Sequence, residues 1–220
     1  MDEYTKPHLE SSTLITIDSQ NDFSLPGAPA YISGTEDAVP NMLRLLKVYR
    51  DHALPIVHVV RLYQRDGSNV DVCRRRLIEE GISIVIPETE GAELVSALKP
   101  DNGVRLDAAS LLAGNFQQIG RREYVMYKPR WGAFYQTRLE HFLNDLGSDT
   151  LVFCGCNYPN CPRTSIYQAS ERDFRIVLAQ DAISQLYPKG EEEMGQIGVK
   201  LMTVDALEEW FGLQIDFTHR

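Results

Sequence analysis

Six short apolar runs constrain this chain more than anything else in it. They read TLITI (13–17), PIVHVV (55–60), EYVMY (123–127), TLVFC (150–154), FRIVLA (174–179) and, more weakly, KLMTV (200–204). Most are continuously apolar rather than alternating, as strands are when a parallel sheet is covered on both faces. Between them, DAVPNMLRLLKVYRDHA repeats Val39, Leu43, Leu46 and Tyr49 along one helical stripe. TRLEHFLNDLG does the same and ends at Gly147, a residue suited to a helix C-terminus. Strand–helix alternation of this kind predicts an α/β fold, a doubly wound three-layer α/β/α sandwich. With no repeat, low-complexity tract or linker in 220 residues, one domain spanning 1–220 is expected.

Two connections, 61–92 and 100–122, are long and weakly periodic. Such segments serve as lids, binding loops or oligomer contacts, and a homodimer or homotetramer is expected. The chain carries 22 Lys and Arg against 31 Asp and Glu, a formal net charge of −9. That balance argues against a duplex nucleic-acid surface and against an anionic membrane, leaving a small molecule as the expected partner. The opening MDEYTKPHLESS has no apolar core, and no apolar run approaches membrane-spanning length. A reducing cytoplasm is therefore the expected compartment, where clustered cysteines are more often metal ligands or catalytic groups than disulfides.

Ligands of a parallel α/β sheet bind at the carboxyl ends of its strands. Asp18 follows TLITI directly, Lys128 follows EYVMY, and Cys161 lies seven residues past the end of TLVFC. A carboxylate, an amine and a thiol thus share one edge of the predicted sheet. Pro162 suits the first helical position, which puts Cys161 at or near the helix N-cap. The partial positive charge there, with a nearby Lys128, is expected to lower the thiol pKa, and exposed N–H groups of the turn could receive an oxyanion. The blander alternative makes Cys161 a small buried hydrophobe, Asp18 a turn residue and Lys128 surface charge.

Cys154 and Cys156 read as buried and structural, and Cys73, in DVCRRRL, as part of a solvated helix face. The C-x-C and C-x₄-C spacings do not make a zinc site, and the five histidines are scattered without metal spacing. No metal or other cofactor is expected. His58, within a strand run, reads as a satisfied core or edge histidine. G-x-G-x-x-G is absent after the first strand, which argues against a dinucleotide enzyme.

TLITIDSQNDF, YKPRWGAFYQTRLEHFL and LVFCGCNYPNCPRTSIYQASERDFRIVLAQDAIS together resemble the signatures of the isochorismatase-like cysteine hydrolases, in the same order. PETEGAELVSAL resembles a family segment that precedes the lysine. The resemblance implies a Rossmann-like six-stranded parallel sheet sandwiched by helices. It also implies hydrolysis of an amide, carbamoyl or ureide C–N bond through a thioester. Asp18 would be the general acid and base, Lys128 its electrostatic partner and Cys161 the nucleophile. The N–H groups of Asn157 and Cys161 would form the oxyanion hole, with a cis peptide at Cys156–Asn157. Phe23, Trp131, Tyr158 and Arg163 are the expected substrate-binding residues, Arg163 as the partner of an anionic group or else as an arginine paired with Glu171 or Asp173. Nicotinamidases of the family carry an Asp-x-His metal site after the second strand, for which HVVRLYQRDGSNV offers no counterpart. Vinyl-ether-cleaving isochorismatases lack the cysteine. That activity, and a binding domain without turnover, stand as the alternatives.

Overall fold

A computed structural model describes residues 2–218. Its seven-stranded sheet runs, in spatial order, β3-β4-β2-β1-β5-β6-β7. The strands are β1 (Ser12–Ile17), β2 (Ile56–Val60), β3 (Gln117–Gly120), β4 (Glu123–Tyr127), β5 (Thr150–Gly155), β6 (Arg175–Ile183) and β7 (Lys200–Met202). All six expected strands are present and parallel. The seventh, β3, corrects the expected count and pairs antiparallel with β4. Its sequence, QQIG, has no apolar run to announce it. It forms because β4 would otherwise leave its outer backbone groups unpaired.

Side-chain alternation distributes the core between two faces. Ile15, Ile17, Leu151 and Phe153 point to the face covered by α5 (Leu139–Asp145), α6 (Cys161–Ser170) and α7 (Pro188–Gln196). Leu14, Val152 and Cys154 point to the other, against α2 (Thr35–Asp51) and α8 (Val204–Thr218). Each such fully buried aliphatic or aromatic side chain stabilises the fold by about 1.5–3 kcal/mol. The stripe of α2 is rotated from the expected one: Ala38, Met42, Leu45, Leu46 and Tyr49 are buried, while Leu43 faces outward. α5 ends as expected at Gly147, whose φ of +73° lets Gly147 N–H and Ser148 N–H bond back to Asn144 and Leu143.

The connections expected to be irregular contain short elements. The first carries α3 (Val72–Glu79), and the second carries α4 (Ala108–Leu112) and β3. The residues leading into and following α3 pack with Phe23 and Cys156 into a third apolar cluster, which includes Leu62, Val70 and Ile84.

One polar chain runs through the sheet. His58 is fully buried and bonds Thr16 Oγ1 at 2.8 Å and Glu123 Oε1 at 2.9 Å, so it is the satisfied core histidine expected. Arg50, in the last turn of α2, closes on both Glu123 oxygens at 2.9 and 2.8 Å. Burial alone would raise the Glu123 pKa, but the Arg50 and His58 hydrogen bonds outweigh it and hold the pKa at about 2. A depressed carboxylate pKa stabilises the fold above the ordinary value near 4.5 and loses that contribution as pH falls toward about 2. Glu123→Ala strands Arg50 and His58 and is expected to cost about 3–5 kcal/mol. Urea denaturation at pH 7 measures this, and a loss under about 1 kcal/mol would show the chain of bonds to be dispensable.

Candidate active site

Four strand ends, those of β1, β2, β4 and β5, are tied together by backbone hydrogen bonds at the carboxyl edge of the sheet. Asp18 N–H donates to Val59 O at 2.9 Å, Lys128 N–H to Val60 O at 3.0 Å, and Cys156 N–H to Ile17 O at 2.9 Å. Opposite Ile17 stands Gly155, with φ +119°. A Cβ there would lie 2.2 Å from the Ile17 carbonyl oxygen, so only glycine permits this approach. Asp18 itself takes a left-handed φ of +51°, which aspartate tolerates better than most residues.

These ties bring the three expected side chains into one buried group. Lys128 is fully buried, and its Nζ donates to Asp18 Oδ2 at 2.8 Å and to Arg130 O at 3.4 Å. Asp18 and Cys161 are almost as buried. Asp18 Oδ1 has no partner of hydrogen-bond geometry among the described residues. Its charge nonetheless bears on the Cys161 thiol, whose pKa it helps to raise. Asn160 is the N-cap of α6, Cys161 its first residue and Pro162 the next, one position along from the expected start.

The electrostatics correct one expectation. Burial pushes the Cys161 thiol up, and the Asp18 carboxylate adds to it, against the lowering effect of Lys128 and Arg61; the pKa reaches about 12. The free protein therefore holds a protonated thiol beside a carboxylate, rather than a ready thiolate. Desolvation of the anion in this closed site outweighs the helix terminus and the ammonium.

The turn before α6 contains the expected cis peptide bond at Cys156–Asn157. Among the described residues, neither Asn157 N–H nor Cys161 N–H donates to a protein acceptor. The intervening Tyr158 N–H is taken by Ser184 O at 2.9 Å. The Cys156 thiol donates to Asp18 O at 3.2 Å, and Cys154 lies fully buried in the core. Cys73 is exposed.

Of the four residues expected at the substrate, two lie beside this group and two do not. Phe23 is buried and Trp131 half-buried, and a shared guanidinium, Arg74, stands 5.5 and 5.3 Å from their rings. Tyr158 is instead turned into the core. It is fully buried, donates to Gly190 O at 3.0 Å and packs edge-on against Tyr187. Arg163 is also corrected: its guanidinium bonds Tyr187 Oη at 2.6 Å and Glu193 Oε2 at 2.5 Å, on α7 and the residue before it. It is paired, as one alternative held, but not with Glu171 or Asp173.

Two arginines that the sequence reading passed over stand close to Asp18 and Cys161. Arg61, directly after β2, is buried and bonds Lys128 O at 3.3 Å, Tyr63 Oη at 3.2 Å and the Asp71 carboxylate. Burial alone would lower its pKa, but Tyr63, Asp18, Asp71 and Cys161 hold it raised. Arg74 of α3 is half-buried, and the same Asp18 and Cys161 act on it. Gln20 braces this edge: its amide donates to Arg61 O and Ala92 O and accepts from Arg61 N–H, at 2.8, 2.6 and 2.8 Å. The rule that placed Asp18 and Lys128, the first polar residue beyond a strand, would have found Arg61 too. Nothing in DVCRRRL singles out Arg74 from its neighbours.

Among the described residues, no three His, Cys, Asp or Glu side chains are placed to hold a metal ion. Among the described residues, likewise, no helix is long and apolar enough to cross a membrane.

The Isochorismatase domain family matches residues 12–107 and 112–206. A protein of Arabidopsis thaliana named "Probable inactive nicotinamidase" is 31% identical over 206 residues, 91% of this chain and 94% of that one. The maleamate amidohydrolase of Pseudomonas putida is 26% identical over 81% of this chain and 75% of its own. A crystal structure of an isochorismatase family protein from Desulfovibrio vulgaris superposes with a TM-score of 0.77 at 32% identity, covering 92% of this chain and 98% of that one. By matched length and by fold, the chain belongs to the isochorismatase family.

Proposed function

We infer that this protein is a cysteine hydrolase of a small amide, carbamoyl compound or ureide, with Asp18, Lys128 and Cys161 as its catalytic group. The observation that carries this reading is the buried Lys128–Asp18 pair, at 2.8 Å, beside a thiol on which the carboxylate acts. A protonated thiol needs a base at the moment of attack, and the Asp18 oxygen left without a partner is suited to that task.

The reaction follows from those positions. As Cys161 Sγ bonds to the carbonyl carbon, Asp18 takes the thiol proton. The carbonyl π electrons move onto oxygen, where Asn157 N–H and Cys161 N–H can stabilise the oxyanion. Collapse breaks the C–N bond, Asp18 passes its proton to the departing nitrogen, and a thioester remains. Water then attacks the thioester carbon and gives a proton to Asp18. The C–S bond breaks, and the sulfur recovers that proton. Lys128, held against Asp18 throughout, offsets the negative charge that alternates between carboxylate, sulfur and oxygen. The P. putida relative, named for maleamate hydrolysis, supports C–N cleavage as the reaction class.

The test is ammonia release from a panel of small amides, carbamoyl compounds and ureides, with acid-quenched intact mass to detect the acyl group on Cys161. The name of the A. thaliana relative favours a second reading, a family member without turnover. A panel that yields neither ammonia nor an adduct would support that reading. Turnover is expected to survive prolonged treatment with EDTA, because the segment after β2 presents Arg61, Leu62 and Tyr63 in place of metal ligands. Activity lost to the chelator and restored by a divalent ion would overturn this.

A further inference from the structure

The turn that carries Asn157 N–H and Cys161 N–H is held from outside by side-chain amides. Gln185, two residues past β6, accepts from Asn157 Nδ2 at 2.7 Å and donates to Ser33 O at 3.5 Å. Asn157 Oδ1 accepts in turn from Asn160 Nδ2 at 3.1 Å, and Asn160 N–H donates to Asn157 O at 3.1 Å. Asn160 is the N-cap of α6, directly before Cys161. One chain of amides therefore runs from the segment before α2, through Gln185, to both ends of the turn. Ser184 anchors the same turn by its backbone, accepting from Tyr158 N–H at 2.9 Å and donating to Gly155 O at 3.1 Å. Its hydroxyl accepts from Thr35 Oγ1 at 3.0 Å, so this second anchor does not depend on the Gln185 side chain.

Gln185 is an unexpected residue at this corner. It is exposed, and its φ of +58° is left-handed. Glycine is the least strained residue in that conformation, so the backbone gives no reason for a glutamine. What the glutamine adds is an amide that accepts and donates at once.

We propose that Gln185 is a positioning residue, which through Asn157 holds the 156–161 turn so that Asn157 N–H and Cys161 N–H are aimed at an oxyanion. This rests on the oxyanion site of the hydrolase reading, but not on amide turnover itself. Donors aimed at a developing charge act only when they are aligned beforehand. A loosened turn therefore slows attack on a carbonyl without weakening substrate binding.

Two reagents for the same thiol separate this role from a general structural one. p-Nitrophenyl acetate is attacked at its carbonyl carbon. Sulfur bonds to that carbon, the π electrons pass to oxygen, and collapse expels p-nitrophenolate while the thiol proton goes to Asp18. Iodoacetamide is attacked at its methylene carbon with loss of iodide, and no oxyanion forms. Acetylation is read as p-nitrophenolate release above that of Cys161→Ala, and alkylation as the modified Cys161 peptide, so exposed Cys73 does not interfere.

Gln185→Gly is expected to slow acetylation about tenfold, less than the roughly 10²–10³ lost when an oxyanion donor is deleted outright. Alkylation is expected to stay within about twofold, because it needs no oxyanion donor. The urea midpoint is expected to match the parent's, since relief of the left-handed backbone offsets the greater freedom of glycine in the unfolded chain. Asn157→Ala removes the other end of the same bond, and the double variant is expected to be no slower than Asn157→Ala. On any amide that proves to be a substrate, Gln185→Gly is expected to lower kcat by the same factor and to leave KM unchanged.

A parent that is not acetylated at Cys161, acetylation of Gln185→Gly at the parental rate, or acetylation and alkylation slowed together would overturn the proposal. A selective loss of acetylation, in a protein that releases ammonia from no compound of the panel, would uphold the positioning role and sink the hydrolase reading alone.

Discussion

Cys161→Ala abolishes turnover on any amide the parent hydrolyses, by about 10⁴-fold or more, because no other group in the site can form the acyl bond. The thiol lies inside the core cluster rather than on an exposed turn, so the substitution also has a structural cost. Removing one buried sulfur is expected to take about 1 kcal/mol from the stability. The two effects differ enough to separate. Ammonia release reports the first, and the urea midpoint reports the second. A variant that keeps even a hundredth of the parental rate would remove Cys161 from the reaction.

Asp18→Asn is expected to lose about 10³-fold or more in kcat, since an amide cannot accept the thiol proton or return it to the leaving nitrogen. Its effect on the free thiol should run the other way. The Asp18 carboxylate is one cause of the raised Cys161 pKa, and Lys128 opposes it. With the carboxylate gone and the ammonium left, the thiolate becomes more accessible. Alkylation of Cys161 by iodoacetamide at pH 8 should therefore accelerate while turnover collapses. Should both rates fall together, Asp18 would be holding the site in shape rather than moving protons. The variant also strands a fully buried Lys128, and a stability loss of about 3–5 kcal/mol is expected alongside.

Much of this site could be read before the fold was seen. Continuous apolar runs mark parallel strands, and the first polar residue beyond a strand stands at the sheet's ligand-binding edge. That logic brought out Asp18 and Lys128, and the Pro162 helix start brought out Cys161. The same logic applies to Arg61, the first polar residue beyond β2. β3 had no comparable signal, since its pairing depends on the backbone of β4 rather than on its own side chains.

The sequence by itself determined the order of the six parallel strands, the helices α2, α5 and α6, the glycine at position 155, and the chemical groups that end the central strands. These are properties of local pattern and of single residues. The tertiary structure decided which way those groups act. Cys161 has a raised pKa because the packed site excludes water from it, an effect no neighbouring residue in the sequence reveals. Arg163 turns to Glu193 and Tyr158 to Gly190, partners about thirty residues away, while Arg74 turns inward from a helix that reads as solvent-facing throughout. A side chain's direction is set by what packs against its element from distant parts of the chain, and that information exists only once the layers have closed.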